Sequence, residues 1–447
     1  MNSFFSRLEG MLPASLKDTG MQALLVTKLF GNVIKLLSNL ILARFLSPEA
    51  FAIFGIAFTV IFTFEMISDG GFRAFILRHQ DGDKSYLLKT LWTIKFARNL
   101  VLAALIYLFS NDISVFFGSD ELSSVLQVLS LFFIAESFIP IGFIAIERQN
   151  RIARVMYVKF SCALLSTVFS VVGVYITGNY WFVIFSMVLN PLLQIVFGYF
   201  FIGFHGTGLG WSKPIAVEFL EWAKFIIPSS IITLILMQFD KVFLGRILST
   251  SELGLYFIAF SIAAAAKSFT VEYARGVLLP YLSIIHRESP DKYVEKLYEK
   301  KQKATLVITF LLGALSGASF LFFDVLYDER YLNAGFYLAL LLVTPIMTLI
   351  TYPSEATLIV YGQVKATLTA NIIRLVWFFC GVLGSYFWWG KNGLLLTISL
   401  MEVCPAVYML YRLKVYGAVR ILSEMSYVCS AIIGFVAVRL LISSSGA

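Results

Sequence analysis

Stretches of about 20 apolar residues recur around a dozen times along the chain, and each is long enough, at about 1.5 Å of rise per residue, to carry a helix across about 30 Å of hydrocarbon. They fall roughly at 21–43, 50–72, 87–108, 122–144, 155–177, 180–203, 222–244, 253–283, 304–323, 334–361, 366–389 and 393–413. A further stretch at 425–442, which contains Arg439, is a candidate thirteenth span. Lipid offers no water to an open backbone, so only helices and closed barrels cross it. Barrel strands need only about 9–11 alternating residues, and the runs here are twice that. The expected fold class is therefore an all-α polytopic membrane protein. A content of 59% hydrophobic and 14% charged residues, with a mean hydropathy of +0.83, excludes a soluble globular domain.

The net charge of +8 follows from where the basic residues stand. With a cytoplasmic N-terminus, the inside loops carry Arg73, Arg78, Lys84 and Lys89, then Arg148, Arg151 and Arg154, and later Arg287, Lys292, Lys296, Lys300, Lys301 and Lys303. The outside loops SNDISVFFGSDEL and DVLYDERYLN contain one basic residue, Arg330. This asymmetry obeys the positive-inside rule, and it places the positive charge beside an anionic leaflet rather than on nucleic acid. Membrane lipids are the expected surroundings. The N-terminal segment at 1–20 lacks the order of a secretory signal and reads as a cytoplasmic amphipathic helix. The segment at 414–447 is a basic tail that includes the candidate extra span.

No nucleophile–base pair, HExxH, CxxC, Walker loop or Rossmann glycine fingerprint is present, so no catalytic residue, metal or cofactor is expected and the chain does not read as an enzyme. His79, His205 and His286 stand apart in expected cytoplasmic loops. Cys162, Cys380, Cys404 and Cys429 are scattered singly through apolar segments and read as small core residues.

The chain repeats itself. ARFLSPEAFAIFGIAFT at 43–59 realigns with GRILSTSELGLYFIAFS at 245–261, setting Arg44 against Arg246, Ser47 against Ser249 and Phe58 against Phe260, and the same register sets Arg73 opposite Arg275. An offset of six spans keeps both copies in one orientation, which makes a parallel repeat. Two six-helix lobes are expected, at 21–203 and 222–413, joined by a cytoplasmic connector at 204–221. Such lobes enclose a substrate site at their interface and expose it alternately on each side.

Residues 43–49, Ala-Arg-Phe-Leu-Ser-Pro-Glu, with Phe51 and the run Ser68-Asp69-Gly70-Gly71, resemble the first two helices of Wzx-type oligosaccharide flippases, in the polysaccharide-transporter branch of the MOP superfamily. The resemblance covers spans one, two, seven and eight. It implies a MATE-like, two-lobed fold that moves an undecaprenyl-diphosphate-linked oligosaccharide from the cytoplasmic to the periplasmic leaflet of a bacterial inner membrane, for cell-surface polysaccharides such as O-antigen. Polysaccharide polymerase or ligase machinery would be the protein partner. The thirteenth span departs from the pattern. A multidrug exporter of the same superfamily is the nearest alternative, although two lysines and no acid in the first helix disfavour a cationic drug. A membrane glycosyltransferase or ligase is a further alternative, for which the outer loops are short.

Charges inside apolar spans are the candidate site, because a bare charge at mid-bilayer costs at least about 2.5 kcal/mol and faces a protein interior or a watery cavity. Lys28, Asn32, Lys35 and Asn39 share one face of the first helix, with Lys35 about 20 Å in. Lys267 lies mid-span in the eighth, opposite Lys35 by repeat symmetry, and with Lys35 would hold the diphosphate. Lys28, Arg98 and Arg374 would line the path from the cytoplasm, an arginine fork suiting phosphate. Glu65, Asp69 and Arg73 fall at successive steps of four, so Asp69 is expected to pair with Arg73 while Glu65, nearer mid-membrane, is the candidate ion-coupling group supported by Asp69. Glu136 and Glu402 are the carboxylates that would neutralise a lysine in a closed state. Pro228, Pro345, Pro353 and Pro405 lie within spans as candidate kinks.

Overall fold

The computed structural model describes residues 19–149, 151–201, 203 and 206–445. Residues 1–18 of the expected amphipathic segment, and His205, lie outside them. The described residues are helical almost throughout, with no strand among them. Contacts divide the chain into two compact units, Met1–Gly254 and Leu255–Ala447.

The first unit contains α1 (Thr19–Phe45), α2 (Pro48–Ser68), α3 (Phe72–Arg78), α4 (Ser85–Phe117), α5 (Glu121–Ser137), α6 (Gly142–Arg148), α7 (Ile152–Thr177), α8 (Trp181–Phe201) and α9 (Lys213–Ile247). Ser47 and Pro48 start α2, the proline sitting where its missing N–H removes no helical bond. Helix α1 lies along α7, α4 along α5, and α7 along α8. Residues 213–221, expected in the connector, form the first turns of α9. That helix packs within this unit because Phe219 and Ala223 fill a core with Phe72, Phe75 and Trp92.

The second unit begins within α10 (Thr250–Glu272), which runs on into a π-helical turn at Tyr273–Leu278. It is followed by α11 (Leu279–Glu288), α12 (Tyr293–Gly317), α13 (Ser319–Leu326), α14 (Ala334–Leu341), α15 (Val343–Val360), α16 (Lys365–Ser399), α17 (Val403–Val415) and α18 (Ile421–Ser445). Helix α16 is two helices joined across a kink at Gly390, whose φ of 57° and ψ of −142° are not helical, and this turn lets Arg374 before it meet Glu402 after it. The candidate thirteenth span is α18, which lies along α12 with the two backbones in close approach. A Cβ on Gly313 would collide with the Ala431 carbonyl, and one on Gly434 with the Phe310 carbonyl. Small residues at such a seam let van der Waals contact replace the hydrophobic drive that lipid cannot supply. Within the seam Lys301 Nζ donates to Glu424 Oε1 at 2.6 Å, with both side chains 2% exposed, and the Tyr298 hydroxyl donates to the same oxygen at 2.7 Å.

Among the described residues ten helices are long and apolar enough to cross a membrane, or twelve if two bent pairs each make one crossing; α1 stands outside that count. The bends are new. The fourth span turns by 52° between α5 and α6, where Pro140 interrupts the ladder, and the ninth by 69° between α12 and α13. Several boundaries also change. SNDISVFF continues α4 rather than forming an outer loop, and the expected cytoplasmic loop at 284–303 shrinks to a few residues around Pro290–Lys292. Lys301 is therefore a buried helical charge. Pro345 and Pro405 each fall in the first turn of a helix, where no bond is lost, so only Pro228 and Pro353 of the four are interior. Cys162 is buried as expected, whereas Cys380 and Cys429 are exposed on helix surfaces.

Candidate functional site

Charged side chains gather within each unit. In the second unit the centre is Glu402, 1% exposed, at the short break between α16 and α17. The break aims its carboxylate at two cations. Lys267 Nζ, from α10, lies 3.5 Å from Oε1, while Arg374 of α16 donates from Nη2 at 2.8 Å and from Nε at 3.2 Å to Oε2. Arg374 Nη1 also donates to Asn371 Oδ1 at 2.6 Å. Thr344 donates to the Ser399 carbonyl at 3.3 Å, using one of the acceptors that the break leaves free. The Lys267 side chain remains 32% exposed. One carboxylate thus serves two cations, leaving a local excess of positive charge.

Next along the chain, the π-helical turn carries Arg275, whose guanidinium lies 3.9 Å from Glu355 and 5.3 Å from the Tyr352 ring centroid. Single π turns inside helices are frequent at functional sites.

The first unit has its own set. Lys95 of α4 meets Glu136 of α5 at 3.3 Å and donates to its backbone carbonyl at 3.0 Å. Arg98 donates twice to Asn99 Oδ1, at 2.9 and 2.7 Å, lies 4.0 Å from Glu136, and rests over the Phe72 ring at 5.4 Å. Asn99, fully buried, donates to the Phe133 carbonyl and to Glu136. Glu65 is half-buried on α2, with Glu136, Arg98, Lys95 and Asp69 as its charged neighbours. A second group follows, in which Arg73 donates to Glu147 at 2.6 Å and Lys159 approaches the same carboxylate at 4.0 Å.

These contacts correct three expectations. Asp69 does not pair with Arg73, because α2 ends at Ser68 and the chain turns through Gly71 at φ 75° before α3 begins, so the steps of four do not share one continuous helix. Asp69 instead caps that turn, accepting from the Gly71 N–H at 3.0 Å. Lys267 is not the counterpart of Lys35 either. The register that sets Arg44 against Arg246 sets Lys267 against Glu65 and Met237 against Lys35, so equivalent positions carry opposite charges. Arg98 and Arg374 are held by protein acceptors rather than left open.

The remaining site residues lie on α1, one unbroken helix that keeps Lys28, Asn32, Lys35 and Asn39 on one side. Lys28 and Lys35 are both exposed, and the Lys35 ammonium lies 5.8 Å from the Phe58 ring centroid. Sequence reasoning passed over Lys95, Lys159, Glu147 and Glu355; the rule that singled out Lys35, a charge flanked by apolar residues, applies to Lys95 and Lys159, whereas Glu147 is followed by Arg148 and Glu355 is preceded by Ser354.

An all-helical, polytopic chain with a duplicated second span and ion-paired charges inside its membrane helices has the architecture of a membrane transporter. Residues 41–335 match the polysaccharide biosynthesis protein family, and the chain belongs to that family. It is 21% identical over 369 residues to the succinoglycan biosynthesis transport protein ExoT of Rhizobium meliloti, covering 80% of this chain and 73% of the relative. It is 22% identical over 378 residues to the lipopolysaccharide biosynthesis protein WzxC of Escherichia coli, covering 82% and 74%. Among solved structures, the lipid II flippase MurJ in an inward closed conformation superposes with a TM-score of 0.71 at 14% identity, over 92% of this chain and 91% of that one. A multidrug resistance MATE family transporter, inward-facing, superposes at 0.63 with 16% identity, over 87% and 95%. At these identities the likeness shows the fold, which is MATE-like as expected. The chain is a multi-pass protein of the bacterial inner membrane and a transporter of the polysaccharide biosynthesis class.

Proposed function

We propose that this protein flips an undecaprenyl-diphosphate-linked oligosaccharide from the cytoplasmic to the periplasmic leaflet by alternating access. The observation that carries the reading is the Lys267–Glu402–Arg374 cluster, in which two cations share one buried carboxylate. A diphosphate arriving there would find charge-assisted donors already in place, and its negative charge would take over the role of Glu402 for Lys267, the more exposed of the two cations. Lys35 and Lys28 on α1 are proposed as further cations on the substrate's path. The family membership and the names of the relatives, a succinoglycan transport protein and a lipopolysaccharide biosynthesis protein, support a saccharide-bearing substrate. Glu65 is the proposed coupling group, since it stands among Lys95, Arg98 and Glu136 and a change in its charge would be felt by all three.

Polymerase or ligase machinery would receive the product, and no chemical step on the sugar is assigned to this chain. The test is a leaflet-sidedness assay with purified protein in liposomes containing lipid-linked oligosaccharide. Accelerated appearance of the oligosaccharide in the opposite leaflet supports the reading; a rate equal to that of protein-free liposomes overturns it.

A further inference from the structure

A cavity of about 780 Å³ opens in the first unit between the end of α3 and the first turns of α9. Its size lies within the roughly 300–1,000 Å³ of small-molecule sites, enough for several sugar rings. Its rim is built rather than loose. The Arg148 guanidinium donates to the carbonyls of Ile76 at 3.0 Å, Gln80 at 2.8 Å and also His79, which fixes the turn that follows α3. The Tyr86 hydroxyl anchors Asp81 at 2.7 Å. The Asp81 N–H donates to His79 Nδ1 at 3.0 Å, which leaves the ring proton on Nε2 to donate to Glu218 Oε2 at 3.2 Å. His79 thus bridges the turn to α9.

The chemistry of the lining selects the ligand. Three carboxylates, Asp81, Glu218 and Glu221, face two lining cations, Arg78 and Lys224, and with Arg148 at the rim the charges balance, so the cavity has no net positive charge to draw in a diphosphate. Both cations are also drawn onto aromatic faces, Arg78 over Trp222 at 5.0 Å and Lys224 over Phe225 at 5.2 Å. What remains available is carboxylate oxygen, which accepts from hydroxyl groups, and the ring of Phe225, which is 73% exposed. Hydroxyl donors on an otherwise carbon-bearing ring are what a saccharide offers. We infer that this cavity holds the oligosaccharide portion of the substrate on the cytoplasmic side, before its diphosphate is taken into the membrane. The inference rests on the flippase reading and on the orientation given by the basic loops, and it adds a sugar subsite separate from the cationic cluster at Glu402.

The experiment compares two probes, undecaprenyl diphosphate and the lipid-linked oligosaccharide extracted from the native host, binding to the full-length protein in phosphatidylethanolamine–phosphatidylglycerol nanodiscs. The native protein is expected to bind the oligosaccharide-bearing probe more tightly. Glu221→Gln and Phe225→Ala replace exposed side chains and leave the packing intact. Each is expected to weaken binding of that probe about tenfold while leaving undecaprenyl diphosphate unchanged. A preference that survives in both variants overturns the sugar subsite alone. Failure of the native protein to bind either probe overturns the flippase reading and this inference with it.

Discussion

Lys267 Nζ lies 3.5 Å from Glu402 Oε1, on a carboxylate whose other oxygen is held by Arg374 at 2.8 Å. Removing the acid strands two cations where water is scarce, whereas removing the lysine leaves an acid that still has a guanidinium. Breaking a buried pair from one side costs about 3–5 kcal/mol. Glu402→Gln is therefore expected to lower the thermal midpoint of the purified protein markedly, and Lys267→Gln much less. Equal midpoints for Glu402→Gln and the native protein would contradict this account of the cluster.

The seam between α12 and α18 predicts a stability effect independent of transport. Lys301 and Glu424 are each 2% exposed, so Glu424→Gln should destabilise by about 3–5 kcal/mol. Replacing both residues together by methionine and leucine should restore much of the loss, because no charge is then left unpaired. Gly313→Leu should also loosen α18, since even a Cβ collides with the Ala431 carbonyl. Thermal unfolding followed by size-exclusion chromatography reads all three. If Gly313→Leu unfolds at the native temperature, α18 is not packed as described.

Much of this was legible in the sequence and some was not, for reasons that particular residues make plain. The spans could be read because a run of about 20 apolar residues has few other uses. The bends at 138–141 and at Ala318 could not, since an apolar run looks the same whether the helix through it is straight or broken. Lys267, Arg374, Glu402, Glu136 and Glu65 announced themselves as charges in apolar surroundings. Their partners did not, because a pair such as Arg73 and Glu147 is 74 residues apart and is made by helix packing. Asp69 misled for a local reason: spacing by four means a shared face only while the helix continues, and Gly70-Gly71 ends it. Lys301 looked like one more basic loop residue until the loop proved to be helix.

The proposed coupling role of Glu65 predicts a separable defect. Glu65→Gln keeps the shape and removes the charge that stands among Lys95, Arg98 and Glu136. The variant is expected to insert and bind substrate yet to flip at least about tenfold more slowly, with its dependence on pH or sodium flattened. Native rates with unchanged pH and sodium dependence would make Glu65 a structural residue.

Orientation is open to direct labelling. With Cys380 and Cys429 replaced, since both are exposed, a cysteine at Lys292 should react with an impermeant reagent from the cytoplasmic side, and one at Ser444 from the periplasmic side if α18 crosses the membrane. Labelling of position 292 only from the periplasm would invert the topology.

The central claim is that cationic side chains receive a diphosphate and that the lipid-linked sugar then changes leaflet. It is tested most directly by the leaflet-sidedness assay in liposomes with the native protein, Lys35→Gln and Lys267→Gln side by side. The account predicts rapid flipping by the native protein, loss of about tenfold or more in each neutral variant, and partial retention in Lys267→Arg, which keeps the charge. Neutral variants that flip at the native rate with native affinity would contradict it, and Lys267 would then be no more than the partner of Glu402.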